Sequence, residues 1–276
     1  MRLVFLGTPS AAVPALAALL RAGHEVARVV TQPDRPVGRS RRPAPPPVKQ
    51  AALDAGLELL QPRRVKDEEF PAALRSAAPE LLVVVAYGRI LSDAVLELAP
   101  RGAINLHFSL LPRYRGAAPV QWALARGETT TGVSTMRIVS RLDAGDVLLQ
   151  RAVPIAAGEH APALEQRLAA IGAELLVATL AGLARGELRG TPQDEAQATY
   201  APLLHRADGE LDPTLAAPLL EGHVRGFDPW PGSWVRVEPG GRRLRLVEAR
   251  ALDERGEQAP GSVLELRRDG LVVACG

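Results

Sequence analysis

Apolar residues recur along the first half of the chain in short runs separated by stretches of helical spacing. Residues 3–6 form one uninterrupted run closed by Gly7 and predict a buried strand. Pro9 sits where the first turn of a helix tolerates proline. Leu16, Leu19 and Leu20 give that helix an apolar face, and Gly23 ends it. Residues 25–30 predict the next strand, 81–86 a strand buried on both faces, and 103–108 another. Ser92, with Asp93 beside it, can cap a helix expected to run to about residue 99. Residues 132–138 and 147–155 continue the strand pattern, and 165–185 read as one long amphipathic helix. Alternation of this kind predicts an α/β fold, a Rossmann-like, mainly parallel sheet with helices on both faces.

From residue 186 to 206 the periodicity dissolves into a polar stretch. Beyond it Trp234, Val235 and Val237, then Leu244, Leu246 and Val247, then Val263, Leu264 and Leu266 lie between glycine-containing turns. That texture predicts a small antiparallel, OB-like β-barrel. The expected organisation is a catalytic domain over 1–186, a linker over 187–206 and a C-terminal barrel over 207–276. Trp230 and Trp234 are expected to be core and turn residues of that second domain.

The 276 residues, 47% apolar and 23% charged, suit two ordinary globular domains. Apolar runs such as 81–86 fall far short of the roughly 20 residues that span a bilayer, and the N-terminus carries no signal-peptide core. A single cysteine, Cys275, allows neither an internal disulfide nor a cysteine-based zinc site. A cytoplasmic protein with no membrane contact is the expectation, and a monomer.

Net charge is only +2, with 31 arginines against 2 lysines, Lys49 and Lys66. The arginine bias runs through the whole chain, so it reflects overall composition rather than phosphate chemistry. One segment departs from that background. The proline-rich loop over 33–49 sets Arg35, Arg39, Arg41, Arg42 and Lys49 against the single acid Asp34. A structureless excursion this long inside an α/β unit is functional or disordered. It reads either as a solvated, proline-stiffened surface loop or as a basic arm that contacts phosphates, and local charge favours the arm.

The densest chemistry lies over 105–119. In a strand, Asn105 and His107 leave on the same face. A strand ending near His107 would present both at the carboxyl edge of a parallel sheet, where open α/β sheets bind ligands. An amide donor beside an imidazole can polarise a carbonyl, stabilise an oxyanion and move a proton. The same residues can also do no more than satisfy nearby backbone groups. A second polar site, Leu142-Asp143-Ala144-Gly145-Asp146, offers Asp143 or Asp146 either as turn residues or as a carboxylate that orients His107. Spacing does not show that the two segments meet. Gly7-Thr8-Pro9 lacks the dinucleotide-binding glycines, no phosphate-binding lysine loop is present, and His24, His160, His205 and His223 have no partner at ligand spacing.

These motifs, in order, resemble the methionyl-tRNA formyltransferase family. The resemblance is carried by Phe5-Leu-Gly-Thr-Pro9, Thr31-Gln-Pro-Asp-Arg-Pro-Val-Gly38, Val84-Val-Ala-Tyr-Gly88, Asn105-Leu-His-Phe-Ser-Leu-Leu-Pro-Arg-Tyr-Arg-Gly-Ala-Ala-Pro119, Leu142-Asp-Ala-Gly-Asp146 and Phe227-Asp-Pro-Trp-Pro231. It implies formyl transfer from 10-formyltetrahydrofolate to the α-amino group of initiator methionyl-tRNA, with no metal. Asn105, His107 and Asp143 become the catalytic set. Ser109, Leu110, Leu111 and Pro112 would line the folate site, with Val85, Ala86, Tyr87 and Gly88 beside the pterin. Arg35, Arg39, Arg41, Arg42 and Lys49 would engage the acceptor stem. The C-terminal barrel would hold the rest of the tRNA, through a local face such as Arg236, Arg242, Arg243 and Arg245. Residues 204–276 carry 10 arginines against 12 acids, so that domain is not basic overall. Two departures are visible: Phe108 stands where many members have glycine, and the family's second domain usually extends some thirty residues further, so a truncated barrel is expected here.

Overall fold

The computed structural model of the chain describes residues 1–37, 42–254, 257–268 and 270–276, without the side chains of Val37 and Arg42. In chain order the strands are β1 (Arg2–Gly7), β2 (Glu25–Val30), β3 (Arg35–Val37), β4 (Arg42–Ala44), β5 (Leu59–Leu60), β6 (Leu81–Val85), β7 (Ala103–His107), β8 (Arg115–Gly116), β9 (Thr130–Arg137), β10 (Val147–Pro154), β11 (Tyr200–Ala201), β12 (Ser233–Val237), β13 (Arg242–Leu246), β14 (Val263–Leu266) and β15 (Leu271–Val273). The helices are α1 (Val13–Arg21), α2 (Pro47–Asp54), α3 (Glu69–Ser76), α4 (Asp93–Leu96), α5 (Pro119–Ala125), α6 (Ala161–Arg185) and α7 (Ala217–Gly226).

The main sheet has seven strands in the order β10-β9-β7-β6-β1-β2-β5. From β5 to β7 neighbouring strands are parallel. β9 runs antiparallel to β7, with Ser134 opposite His107 and Arg137 opposite Ile104. β1 and β6 are apolar throughout because helices cover both faces of a parallel sheet; in β6 every residue is buried. On one face Val4, Leu6, Leu82, Val84 and Ala103 pack with Phe70 and Leu74 of α3 and Val95 and Leu96 of α4. On the other face α6 lies so close that a Cβ on Gly172 would stand 2.9 Å from Leu106 of β7. Thr179 of α6 also shares a 2.8 Å hydrogen bond with Thr135 of β9. α6 is long and apolar enough, by length and composition, to cross a bilayer; here its buried side, including Leu168, Leu176 and Leu180, covers the sheet.

The chain divides into two compact units that interleave along the sequence. The first comprises Met1–Gly116, Gly132–Val153 and Glu165–Tyr200; the second comprises Ala117–Thr131, Pro154–Leu164 and Ala201–Gly276. Part of the stretch read as a linker is therefore built into the first unit, where Thr191 pairs with Val147. In the second unit α5 packs on α7, with the Trp122 and Phe227 rings edge-to-face at 5.1 Å. The C-terminal strands form two antiparallel hairpins, β12-β13 and β14-β15, the small antiparallel texture the sequence predicts. Of the two tryptophans expected in core and turn positions, Trp230 is in a turn, half exposed within residues 228–231.

Candidate active site

β1 and β6 lie at the point where strand order reverses, and loops leaving the carboxyl ends of such strands form the usual ligand crevice. β6 and β7 are neighbours in register, Val85 opposite Leu106. The segments that follow them, Ala86 to Gly88 and Phe108 to Pro112, therefore leave the sheet at the same edge. Val85 and Tyr87 point into the core, while Ala86 and Gly88 are exposed, each with left-handed φ, 46° and 73°. A Cβ on Gly88 would stand 2.6 Å from Gln32 Nε2, so glycine lets the strand end pass close to that side chain. Thr8 and Gln32 both donate to the Tyr87 carbonyl, at 3.1 and 2.8 Å. Burial pushes the Tyr87 hydroxyl up to about 12, and it has no hydrogen-bond partner among the described residues.

Ser109 is buried, and its hydroxyl donates to Arg113 O at 2.6 Å, which closes the loop on itself. Ser134 of β9 braces the same loop: its hydroxyl donates to Ser109 O at 2.6 Å and accepts from the Leu111 N–H at 3.2 Å. Gln150 adds a bond to Leu111 O at 2.8 Å. Leu111 is buried, Leu110 and Pro112 are half-buried. Phe108 is buried too.

Asn105 and His107 share the sheet face that carries Ala103, as strand alternation requires. His107 is the last residue of β7 and buried; Asn105 is half-buried. The His107 Nε2 lies 2.8 Å from the Tyr114 carbonyl. A carbonyl only accepts, so that nitrogen carries a proton, and Nδ1 is the ring nitrogen turned toward Asp143. Asp143 Oδ2 stands 3.8 Å from Nδ1 and also accepts the Gly116 N–H at 2.8 Å. The separation between His107 and Asp143 is that of an ion pair or a water bridge rather than a direct hydrogen bond. Because β9 runs antiparallel and ends opposite Ile104, the excursion after it must fold back along the sheet to bring Asp143 to His107. Asp143 takes left-handed φ, 47°, a conformation aspartate tolerates better than most residues. Gly145 permits the return, since a Cβ there would overlap the Arg137 carbonyl. The structure thus brings His107 and Asp143 together, with Asn105 two residues before His107 on the same strand face; Asp146 instead lies against Gly190.

Sequence reasoning missed the support of this loop. Arg115 is fully buried and donates to Gln193 Oε1 and to both oxygens of Glu195 at 2.8–3.1 Å. Hydrogen bonds from Arg115 and then Arg141 pull the Glu195 carboxyl down to about 2. Arg115 stands inside the quoted 105–119 motif, whereas Gln193 and Glu195 lie in the stretch read as a linker, which offers no periodicity to mark them.

Of the basic arm, Arg39 and Arg41 and the side chain of Arg42 lie outside the described residues. Arg35 donates to Gln32 Oε1 at 2.8 Å. Lys49 is engaged by Asp34, 2.8 Å from both carboxylate oxygens, and Gln61 donates to Asp34 from the other side. Lys49 therefore fastens the end of the arm to its base. In the second unit, β12-β13 pairing places Trp234, Arg236, Arg243 and Arg245 on one face and Val235, Val237, Leu244 and Leu246 on the other. Arg242, opposite Val237, falls on the apolar side. The Arg243 and Arg236 guanidinium groups lie 4.1 and 5.3 Å from the Trp234 ring centroid. Among the described residues no group of three or more His, Cys, Asp or Glu is gathered as a metal site.

Residues 1–180 match the formyl transferase family, and 204–276 match the formyl transferase C-terminal domain. Along its whole length the chain is 51% identical to methionyl-tRNA formyltransferases of Acidobacterium capsulatum and of Solibacter usitatus, covering 88% of each. The chain belongs to the methionyl-tRNA formyltransferase family. Among solved structures, the N-formyltransferase of Helicobacter canadensis, in complex with folinic acid and dTDP-3-aminofucose, superposes with a TM-score of 0.71 at 15% identity, covering 99% of this chain and 98% of that one. At that identity the likeness shows the formyltransferase fold alone.

Proposed function

We propose that this member of the formyltransferase family transfers the formyl group of 10-formyltetrahydrofolate to the α-amino group of initiator methionyl-tRNA. The observation that carries the reading is the convergence of His107 and Asp143, 3.8 Å apart, from segments that the sequence separates by 36 positions of unrelated texture, with Asn105 on the same strand face. The folate supplies an activated formyl group when bound. The paired edges of β6 and β7 fit such a ligand: Ala86 and Gly88 expose backbone that a flat, amide-bearing ring can pair with, and Ser109 to Pro112 form a braced loop beside it.

Each protein group has one task. The Asn105 amide donates to the formyl oxygen as negative charge gathers there, a contact whose loss typically costs about 10²–10³ in rate. His107, its Nε2 fixed on Tyr114, takes and releases a proton at Nδ1. The Asp143 carboxylate stabilises the imidazolium that forms when Nδ1 takes the proton of the attacking amine; as the new N–C bond forms and the bond from the formyl carbon to N10 breaks, that proton passes to the departing N10. The arm over 33–49 and the Trp234–Arg236–Arg243–Arg245 face supply phosphate contacts and a stacking surface suited to RNA. The protein acts in the cytoplasm, as a monomer. The test is formyl transfer from 10-formyltetrahydrofolate to methionyl-tRNA, with uncharged tRNA and free methionine as controls. Product on the charged initiator alone is expected; product on free methionine or on a small amine instead would overturn the acceptor assignment.

A further inference from the structure

Asp143 is held from two sides, and the second side leads to a residue with no part in the chemistry itself. Its carboxylate takes the Gly116 N–H, and its backbone carbonyl takes the side-chain amide of Gln193 at 2.8 Å. The same Gln193 amide donates to Gly145 O at 2.7 Å. One NH₂ group therefore grips the turn at Asp143 and again two residues later. At its other end Gln193 accepts from Arg115 Nε and Nη2, at 3.0 and 2.8 Å, and Arg115 is locked by Glu195. The two neighbours of Arg115 touch the site directly: Tyr114 O holds His107 and Gly116 N–H holds Asp143. A closed ring of bonds thus runs from Arg115 to Gln193, through the turn to Asp143 and back to Gly116, with His107 attached to it through Tyr114.

The ring matters because the turn is under load. Left-handed backbone at a non-glycine residue is strained and persists only when its surroundings fix it. The carboxylate also stands at 3.8 Å from Nδ1 without a direct bond to hold it there. We infer that Gln193 is a positioning residue: it sets the distance between the Asp143 carboxylate and His107, and hence how well that carboxylate supports the imidazolium. The inference rests on the reading of Asn105, His107 and Asp143 as the formyl-transfer set.

The experiment is a double-mutant cycle on the full chain, with kcat and KM for formyl transfer to methionyl-tRNA. Gln193→Ala is expected to lower kcat by about 10²-fold, the scale of an ångström-sized misplacement, with KM for the folate within about twofold. In an Asp143→Asn background the same change should cost almost nothing, because the group it positions is gone. Gln193→Glu guards against simple unfolding. A carboxylate can still accept from Arg115 but has no hydrogen to give the Asp143 and Gly145 carbonyls, so circular dichroism at the assay temperature should show a folded protein while kcat falls. Unchanged kcat in Gln193→Glu, or an equal loss in both backgrounds, would overturn the positioning role. Full activity in Asp143→Asn itself would instead overturn the catalytic assignment on which it rests.

Discussion

Tyr87 shows how a single residue can be constrained by the fold more than by the reaction. Its backbone carbonyl serves Thr8 and Gln32 at the ligand edge, while its ring packs with Phe70, Leu91 and Val95 in the core. The hydroxyl is buried with no partner among the described residues, and such a group costs about 1–3 kcal/mol of desolvation. Tyr87→Phe is expected to raise stability by about 1 kcal/mol in urea unfolding and to leave formyl transfer unchanged; a destabilised variant would mean that the hydroxyl is satisfied after all. At this scale legibility followed distance along the chain. Asn105 and His107 could be read together because a strand sets residues two apart on one face. Asp143 stood out as a motif, but its meeting with His107 depends on a fold-back that no spacing encodes. Gln193 and Arg115 were illegible as partners, being 78 positions apart with no shared pattern.

Elements were easier to read than their relations. The apolar runs at β1, β6 and β7 and the long amphipathic α6 emerged within a few residues of their bounds, because continuous burial leaves a continuous signature. The direction of β9 left none: an apolar run reads the same parallel or antiparallel. In the second unit α7 approaches α5 so closely that a Cβ on Gly222 would overlap the Leu124 carbonyl, and one on Gly226 would stand 2.6 Å from the Gln121 carbonyl. Alanine at 222 gains about 1 kcal/mol of helix propensity. A backbone carbonyl cannot swing aside as a side chain can, so overpacking, typically about 1–3 kcal/mol, should win. Gly222→Ala is expected to lower stability by about 1–2 kcal/mol in chemical denaturation. A more stable variant would show that the two helices separate without cost.

For the molecule as a whole, net charge says little about RNA: +2 over 276 residues steers nothing by itself. The arrangement of charge says more. Arg236, Arg243 and Arg245 share one hairpin face with Trp234, while the apolar residues of the same strands occupy the other. That division could be anticipated only as a cluster of arginines, since cross-strand register decides which of them stand together. If this face meets phosphates, replacing Arg236 and Arg243 by Ala should weaken tRNA binding and make the slope of log affinity against log salt shallower by about 1–2. Titrations across a range of salt concentrations measure it directly, and an unaltered slope would remove the hairpin from the RNA surface.

The central claim is that Asn105, His107 and Asp143 act together on a formyl group destined for charged initiator tRNA. It is tested most directly by single-turnover transfer from labelled 10-formyltetrahydrofolate to methionyl-tRNA, with the native chain and the Asp143→Asn variant side by side. Asparagine tolerates the left-handed turn as aspartate does, so the fold and folate binding should survive while the rate falls by about 10²-fold or more. Equal rates in the two proteins would contradict the account.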